Sequence, residues 1–289
     1  CLKRLKQTYD KASFSVNAQL YIKNAGGKVP GIILNRERMP ITQYNGQLFV
    51  LYEWVDGKDL NFGDPSDLQQ ALRGLAGFHL ASRGYRPGGD SRVSTKLGKW
   101  PEQYASMKSK LAAWKEIALN NVSQPHYRAY YDFTGPMLRL ADEALEEIAA
   151  SEYAGLIREG SPSIVLCHQD FGKGNVIAAA DGIYVLDLDG VTFDLPARDL
   201  RKIIGKIAEK RGQWQAAAIK DIVDSYCGVN PLGIDEVQVL YIDMLFPHWF
   251  YGLVKNLFKN GKPLKAAEIE RTAKLEESKA PLIRTLLRS

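Results

Sequence analysis

The chain has 289 residues, enough for one large domain or two modest ones, and 45% of them are apolar, as in an ordinary globular protein. The net charge of +5 is mild, and lysine and arginine are scattered over amphipathic segments with no basic stripe among aromatics, which argues against nucleic-acid binding. The most apolar stretch, residues 239–258, is interrupted by Asp243, Pro247, His248 and Lys255, so it reads as core-packing helix and no membrane role is expected.

The opening Leu2-Lys3-Arg4-Leu5 alternates apolar and basic residues as a strand does. No signal peptide is visible, and a start at Cys1, without methionine and already within a strand pattern, suggests numbering that begins inside a domain. Residues 11–25 are helical in pattern and stop at Gly26-Gly27. Residues 31–35 and 48–54 read as strands, the second rich in β-branched and aromatic side chains. After Val55-Asp56-Gly57 the character changes. Apolar residues recur at helical spacing over 66–83, 100–119 and 126–150, and a Gly/Pro/Ser-rich loop at 86–99 separates the first two segments. Strands return at 164–167, 176–179 and 183–188, and from 197 to the end the pattern is mainly helical. There is no internal repeat and no low-complexity tract. The three cysteines, Cys1, Cys167 and Cys227, form no C-x-x-C pair, which suits an intracellular, reducing setting. The expected architecture is α+β. A small mixed lobe over 1–56 precedes a large, mainly helical lobe over 57–289 with a short β-insert, and a ligand is expected in the cleft between such lobes.

The chemistry concentrates in residues 164–190. An apolar strand delivers His168 and Asp170 into a Gly-containing loop that ends at Asn175, and a hairpin then leads to Asp187 and Asp189. Phosphoryl transfer needs a carboxylate to orient the attacking hydroxyl and oxygen ligands to fix Mg²⁺ on the phosphates of ATP. His-x-Asp-x₄-Asn followed by an Asp at the end of an apolar strand supplies them in the kinase order. A three-residue hairpin loop, Ala180-Asp181-Gly182 with Gly182 left-handed, pairs Ala179 with Ile183 and sets Asn175 opposite Asp187, on one face and within reach of one cation. A shorter loop turns Asn175 to the other side. His168 reads as a hydrogen-bonded brace for the loop rather than a base. Lys173 is either a phosphate contact or a solvated loop lysine. Val185-Leu-Asp187-Leu-Asp189-Gly190-Val191 also resembles the first motif of haloacid-dehalogenase-type phosphatases, but that reading leaves the His168-Gln169-Asp170 loop unexplained.

At these residues the chain is similar to the aminoglycoside-phosphotransferase and choline-kinase superfamily, and within it to the CotS-type spore-coat proteins of endospore-forming bacteria. The likeness is spread over nearly the whole chain: Cys1-Leu-Lys3-Arg, Val29-Pro30-Gly31-Ile, Leu51-Tyr-Glu53-Trp-Val-Asp-Gly57, Phe78-His79-Leu-Ala, Pro196-Ala-Arg-Asp199-Leu and Phe246-Pro-His248. It implies a bilobal protein-kinase-like fold, incomplete at its start, with ATP and Mg²⁺ between the lobes. It also implies a hinge over 51–56, where backbone groups near Glu53 and Val55 meet the adenine. Asp170 is then the catalytic carboxylate, Asn175 and Asp187 are the metal ligands, and Lys3 holds the α- and β-phosphates. Asp199 braces the catalytic loop, with His168, Lys173 and Asp189 in support. Without the family, Lys3 is a strand lysine and Asp199 a solvated helix-start acid.

Three departures stand out. The glycine-rich phosphate-covering strands do not precede Lys3. The helix over 11–25 holds no glutamate to pair with it, Asn17 or Gln19 standing where one is expected, and Gln169 replaces a frequent glycine. The expected function is therefore an ATP/Mg-dependent kinase acting on a hydroxyl of a small molecule or a spore-coat component. The alternative is a weakly active or inactive kinase-fold structural protein of the spore coat, with other coat proteins as partners. The basic balance argues against a polycationic acceptor such as an aminoglycoside. Trp249, Phe250 and Tyr251 read as core rather than as an acceptor pocket.

Overall fold

The computed structural model describes residues 1–288. Two compact units are distinguished. The first comprises residues 1–97, 156–203 and 221–232, and the second 98–155, 204–220 and 233–289. Both sides of the turn near Gly57 therefore fall in the first unit.

The first unit opens with strand β1 (Leu2–Leu5), helix α1 (Tyr9–Asn24), and strands β2 (Ile32–Ile33), β3 (Thr42–Tyr44) and β4 (Gln47–Tyr52). These strands form an antiparallel sheet in which β4 pairs with β1, β2 and β3, and Lys3 lies opposite Val50. One sheet face buries Leu5, Leu48 and Val50 against Ala12 and Val16 of α1. The other side of α1 is also covered, Phe14 meeting Tyr85 and Phe193 edge to face. Ser13 and Gln19 are buried as a result and Asn17 partly so, and each finds a hydrogen-bond partner.

Gly57 then brings the chain against β7. A side chain there would meet the Ala178 carbonyl oxygen at 2.4 Å, so only glycine passes. Strand β5 (Lys58–Asp59) follows, then helix α2 (Pro65–Ser82), whose start is fixed by Pro65 and by Asp64, the carboxylate accepting the N–H groups of Ser66 and Asp67.

Helices α3 (Trp100–Leu119), α4 (Pro125–Ala150) and α5 (Tyr153–Leu156) precede a short β-insert. The insert has two parts: β6 (Val165–Cys167) pairs with β9 (Thr192–Asp194), while β7 (Val176–Ala179) pairs with β8 (Gly182–Val185) and β5. The remainder is helical: α6 (Ala197–Arg211), α7 (Ala216–Cys227), α8 (Ile234–Leu245), α9 (His248–Asn260) and α10 (Ala266–Arg288). The helical unit is held by aromatic stacks such as Trp114 on Phe258 and Tyr104 on Phe246. Phe250 is fully buried and rests on Tyr130, so the run 249–251 contributes to the core as its spacing implied. Among the described residues no helix is long and apolar enough to cross a membrane.

Two expectations are corrected. The hairpin turn has two residues, Ala180 and Asp181, so Ala179 pairs with Gly182 rather than Ile183, and Asn175 is level with Leu186. The turn is held by the Asp181 carboxylate, which accepts from Lys28 Nζ at 2.7 Å and the Tyr184 hydroxyl at 2.9 Å, while Gly182 at φ 143° starts the returning strand. The strand expected over 183–188 also stops at Val185. Asp187 adopts a left-handed backbone (φ 59°, ψ 67°) and opens a 3₁₀ turn, Leu188–Gly190.

Candidate active site

Strand β6 ends at Cys167, and the next residues owe their path to a buried acid. Asp199, in the first turn of α6, is 1% exposed, and its carboxylate accepts the N–H of His168 at 2.6 Å and of Gln169 at 2.9 Å. His79 Nε2 lies 3.3 Å from the same group, His79 Nδ1 lies 2.7 Å from the Tyr226 hydroxyl, and Asn230 donates to that hydroxyl. Burial pushes the His79 pKa down, so its ring is neutral, and this network assigns the proton to Nε2. Burial alone would raise the Asp199 pKa, but the His79 hydrogen bond and the nearby Lys202 charge hold it at about 2. Asp199 is therefore a structural acceptor, not a solvated acid.

The loop itself is braced by His168. Its Nε2 donates to the Leu186 carbonyl at 2.7 Å, and its Nδ1 accepts the Asp170 N–H at 3.3 Å. Gln169, between them, has φ 74°, a conformation glycine adopts at no steric penalty and glutamine does not. Its side-chain oxygen accepts from Arg198 Nε at 3.1 Å, and Lys202 donates to its carbonyl. Asp170 is exposed, and its carbonyl receives Asn175 Nδ2 at 2.9 Å. That bond orients the amide, leaving Asn175 Oδ1 with no protein donor among the described residues. Lys173 is exposed on the same loop.

Asn175 and Asp187 are not strand partners. Both line a cavity of about 290 Å³ within the first unit, together with Lys3, Gln19, Tyr52, Glu53 and Val55. Lys3 Nζ reaches Asp187 Oδ1 at 2.7 Å and Asp189 Oδ2 at 2.9 Å. Burial opposes the lysine charge, yet these two acids outweigh it and raise the Lys3 pKa. At Glu53, the N–H is bonded to the Gly31 carbonyl and the carboxylate accepts the Gly31 N–H. The Glu53 carbonyl and the Val55 N–H carry no protein hydrogen bond among the described residues. They offer one acceptor and one donor at the cavity.

The sequence profile of the phosphotransferase enzyme family matches residues 2–238. The chain belongs to that family. It is also 25% identical over 283 residues to Spore coat protein S of Bacillus subtilis (strain 168), covering 96% of this chain and 81% of that one. Among solved structures, an aminoglycoside phosphotransferase from Alicyclobacillus acidocaldarius superposes with a TM-score of 0.82 at 15% identity, over 99% of this chain and 86% of that one. Amicoumacin kinase in complex with AMP-PNP and Ca²⁺ superposes with a TM-score of 0.59 at 15% identity, over 99% and 84%. These likenesses establish the bilobal α+β kinase-like fold, and family membership sets aside the dehalogenase-type phosphatase reading of residues 185–191.

Against that fold, this phosphotransferase brings Lys3, Asn175, Asp187, Glu53 and Val55 to one cavity, with Asp189 behind Lys3. Asp170, His168, Lys173 and Asp199 belong to the adjoining loop and its support and do not line it. Sequence reasoning missed Tyr52, Ile177 and Leu186 as cavity walls, and also Gln7, whose Nε2 donates to the Asp189 carbonyl at 2.8 Å. The alternation of β4 and β7 carries Tyr52 and Ile177 as ordinary strand positions. Nothing local marks Gln7, because its partner lies 182 residues away.

Proposed function

We propose that the chain is an ATP- and Mg²⁺-dependent phosphotransferase that moves the γ-phosphoryl group to a hydroxyl of a small molecule or a spore-coat component. The observation that carries this reading is the cavity that gathers Lys3, Asn175 and Asp187 with Glu53 and Val55, whose carbonyl and N–H carry no protein hydrogen bond among the described residues. An adenine needs one donor and one acceptor at its edge, and the hinge backbone has both. Asp170 orients the acceptor hydroxyl and takes its proton as the oxygen attacks the γ-phosphorus, the bond from that phosphorus to the bridging oxygen breaks, and ADP leaves, its α- and β-phosphates met by Lys3.

The donor set fits a hard divalent cation, since Asn175 Oδ1 and the Asp187 carboxylate are oxygen ligands and the first has no competing protein donor. A bound Mg²⁺ would supply charge neutralisation on the phosphate oxygens. Asn175 stays oriented through its bond to the Asp170 carbonyl, so loop and cation ligand are set by one contact. Lys173, Arg198 and Lys202 on or beside the loop support an acceptor that is not a polycation.

Titrating Mg-AMP-PNP into the full chain by calorimetry tests the proposal. Binding is expected with a Kd between about 1 μM and 1 mM, the usual range for enzyme substrates. Asp170→Asn should keep this affinity while phosphoryl transfer falls about 10²–10⁴-fold. Absence of any binding sinks the reading. A second reading, a structural coat protein on a kinase scaffold, is favoured by the likeness to Spore coat protein S and by the absence of a glutamate from α1. Coat assembly that survives Asp170→Asn but fails on deletion would select it.

A further inference from the structure

A lysine that meets phosphates in a kinase-like site needs an acid to hold its long, flexible side chain in place. Helix α1 does not supply one. Its only acid, Asp10, lies in the first turn and accepts from the Thr8 hydroxyl. The polar residues further along are engaged elsewhere. Asn17 donates to Ser13, and Gln19, on the cavity wall, donates to the Pro30 carbonyl at 2.7 Å.

Lys3 instead stands between Asp187 and Asp189. The two acids are not equivalent. Asp187 lines the cavity with Asn175 and is the candidate cation ligand, so its charge is shared once a metal-nucleotide is bound. Asp189 does not line the cavity and is tied down from two sides. Its carbonyl accepts Gln7 Nε2, and its 3₁₀ turn is closed by the Val191 N–H on the Leu188 carbonyl at 3.2 Å and anchored by buried Leu188. Lys3 and Gln7 both flank the end of β1, so this segment clasps the acidic turn by a side-chain charge and by a backbone carbonyl.

We infer that Asp189 takes the place of the absent helix glutamate: it is the positioning residue that keeps Lys3 aimed at the nucleotide phosphates after Asp187 engages the cation. This rests on the nucleotide-binding reading of the cavity.

The experiment is a double-mutant cycle on the Kd for Mg-AMP-PNP in the full chain, with thermal melting to confirm folding. Asp189→Asn should weaken binding about 10-fold or more, as expected for a charge-assisted contact. In the Lys3→Met background the same change should have almost no further effect. A purely structural role for Asp189 would give no such non-additivity. If Asp189→Asn fails to fold, Gln7→Leu serves instead. It frees the Asp189 carbonyl without altering a charge, and its weakening should likewise vanish in Lys3→Met. Wild-type binding with unchanged or additive effects of these variants overturns the inference and leaves the nucleotide site standing. No binding by the wild type removes the nucleotide site, and the inference with it.

Discussion

In the first compact unit the buried carboxylate of Asp199 receives the N–H groups of His168 and Gln169. In the second, the buried carboxylate of Glu276 receives those of Trp249, at 2.7 Å, and Phe250, at 3.1 Å. Each acid orders backbone that has no partner in a helix or sheet, a loop in one case and the first turn of α9 in the other. They differ in how the charge is balanced. Asp199 relies mainly on N–H dipoles and a neutral histidine, with the Lys202 charge nearby rather than in contact. Glu276 is paired with a full cation, Lys279, which also donates to the Phe246 carbonyl at 3.0 Å and lies 5.5 Å from the centre of the Trp214 ring. A carboxylate balanced by dipoles stays an acceptor for whatever the loop requires, whereas one locked to an ammonium is a fixed part of the core.

That contrast is broken most sharply at Lys279. Lys279→Met leaves the Glu276 charge buried with only two N–H dipoles against it, and stability to urea should fall by about 3–5 kcal/mol. Replacing both residues, Glu276→Leu with Lys279→Met, should be less damaging than Lys279→Met alone, although the α9 cap is then lost as well. A single variant within about 1 kcal/mol of wild type would mean that the pair is not sealed from water.

At Asp199 the expected loss is smaller in stability and larger in function. Asp199→Asn keeps one acceptor oxygen and sets an amide NH₂ against a backbone N–H, for about 2–3 kcal/mol, and phosphoryl transfer should collapse with the loop that carries Asp170. The pH dependence sharpens the assignment. His79 has a folded pKa below its usual 6.5, and Asp199 is held at about 2 against a usual 3.8. Both are depressed, so each stabilises the fold above its unfolded value and the stability is lost as pH falls. Wild type should weaken from about pH 6.5 downward through His79, with a further loss between about pH 4 and 2 through Asp199. Asp199→Asn should abolish the second loss and retain the first, as read from urea midpoints across pH.

The two carboxylates were not equally legible in the sequence. Asp199 sits in Pro196-Ala-Arg-Asp199-Leu, a string whose resemblance pointed to a brace, although the residue alone read as a solvated acid. Glu276 and Lys279 lie three apart on an amphipathic helix, which is the pattern of an exposed pair, and local spacing carries no record of the α9 start that covers them. The helices were read well because periodicity extends over many residues; 100–119 coincides with α3. Strands β5 and β9 escaped because two or three residues paired far along the chain leave no pattern of their own, and β3, in a tight hairpin with β4, escaped because three residues are too few to show alternation. At the site the residue types and their order were legible, but the geometry joining Asn175 to Asp187 was not. A hairpin loop shorter by one residue shifts the whole pairing, and Asp187 leaves the strand through a left-handed turn that no local pattern announces.

Gln169 offers the finest test of how loosely a dipole-balanced loop is held. Its left-handed backbone costs about 1 kcal/mol relative to glycine, while its side-chain oxygen gains a charge-assisted bond from Arg198 of comparable size. Gln169→Gly should therefore leave stability within about 1 kcal/mol of wild type, since relief of strain offsets the lost bond. Gln169→Ala keeps the strain and loses the bond, so it should be the less stable of the two by about 1 kcal/mol. If alanine and glycine prove equal, the backbone at residue 169 is not strained in solution, and the N–H bonds to Asp199 alone set the path of the loop that carries Asp170.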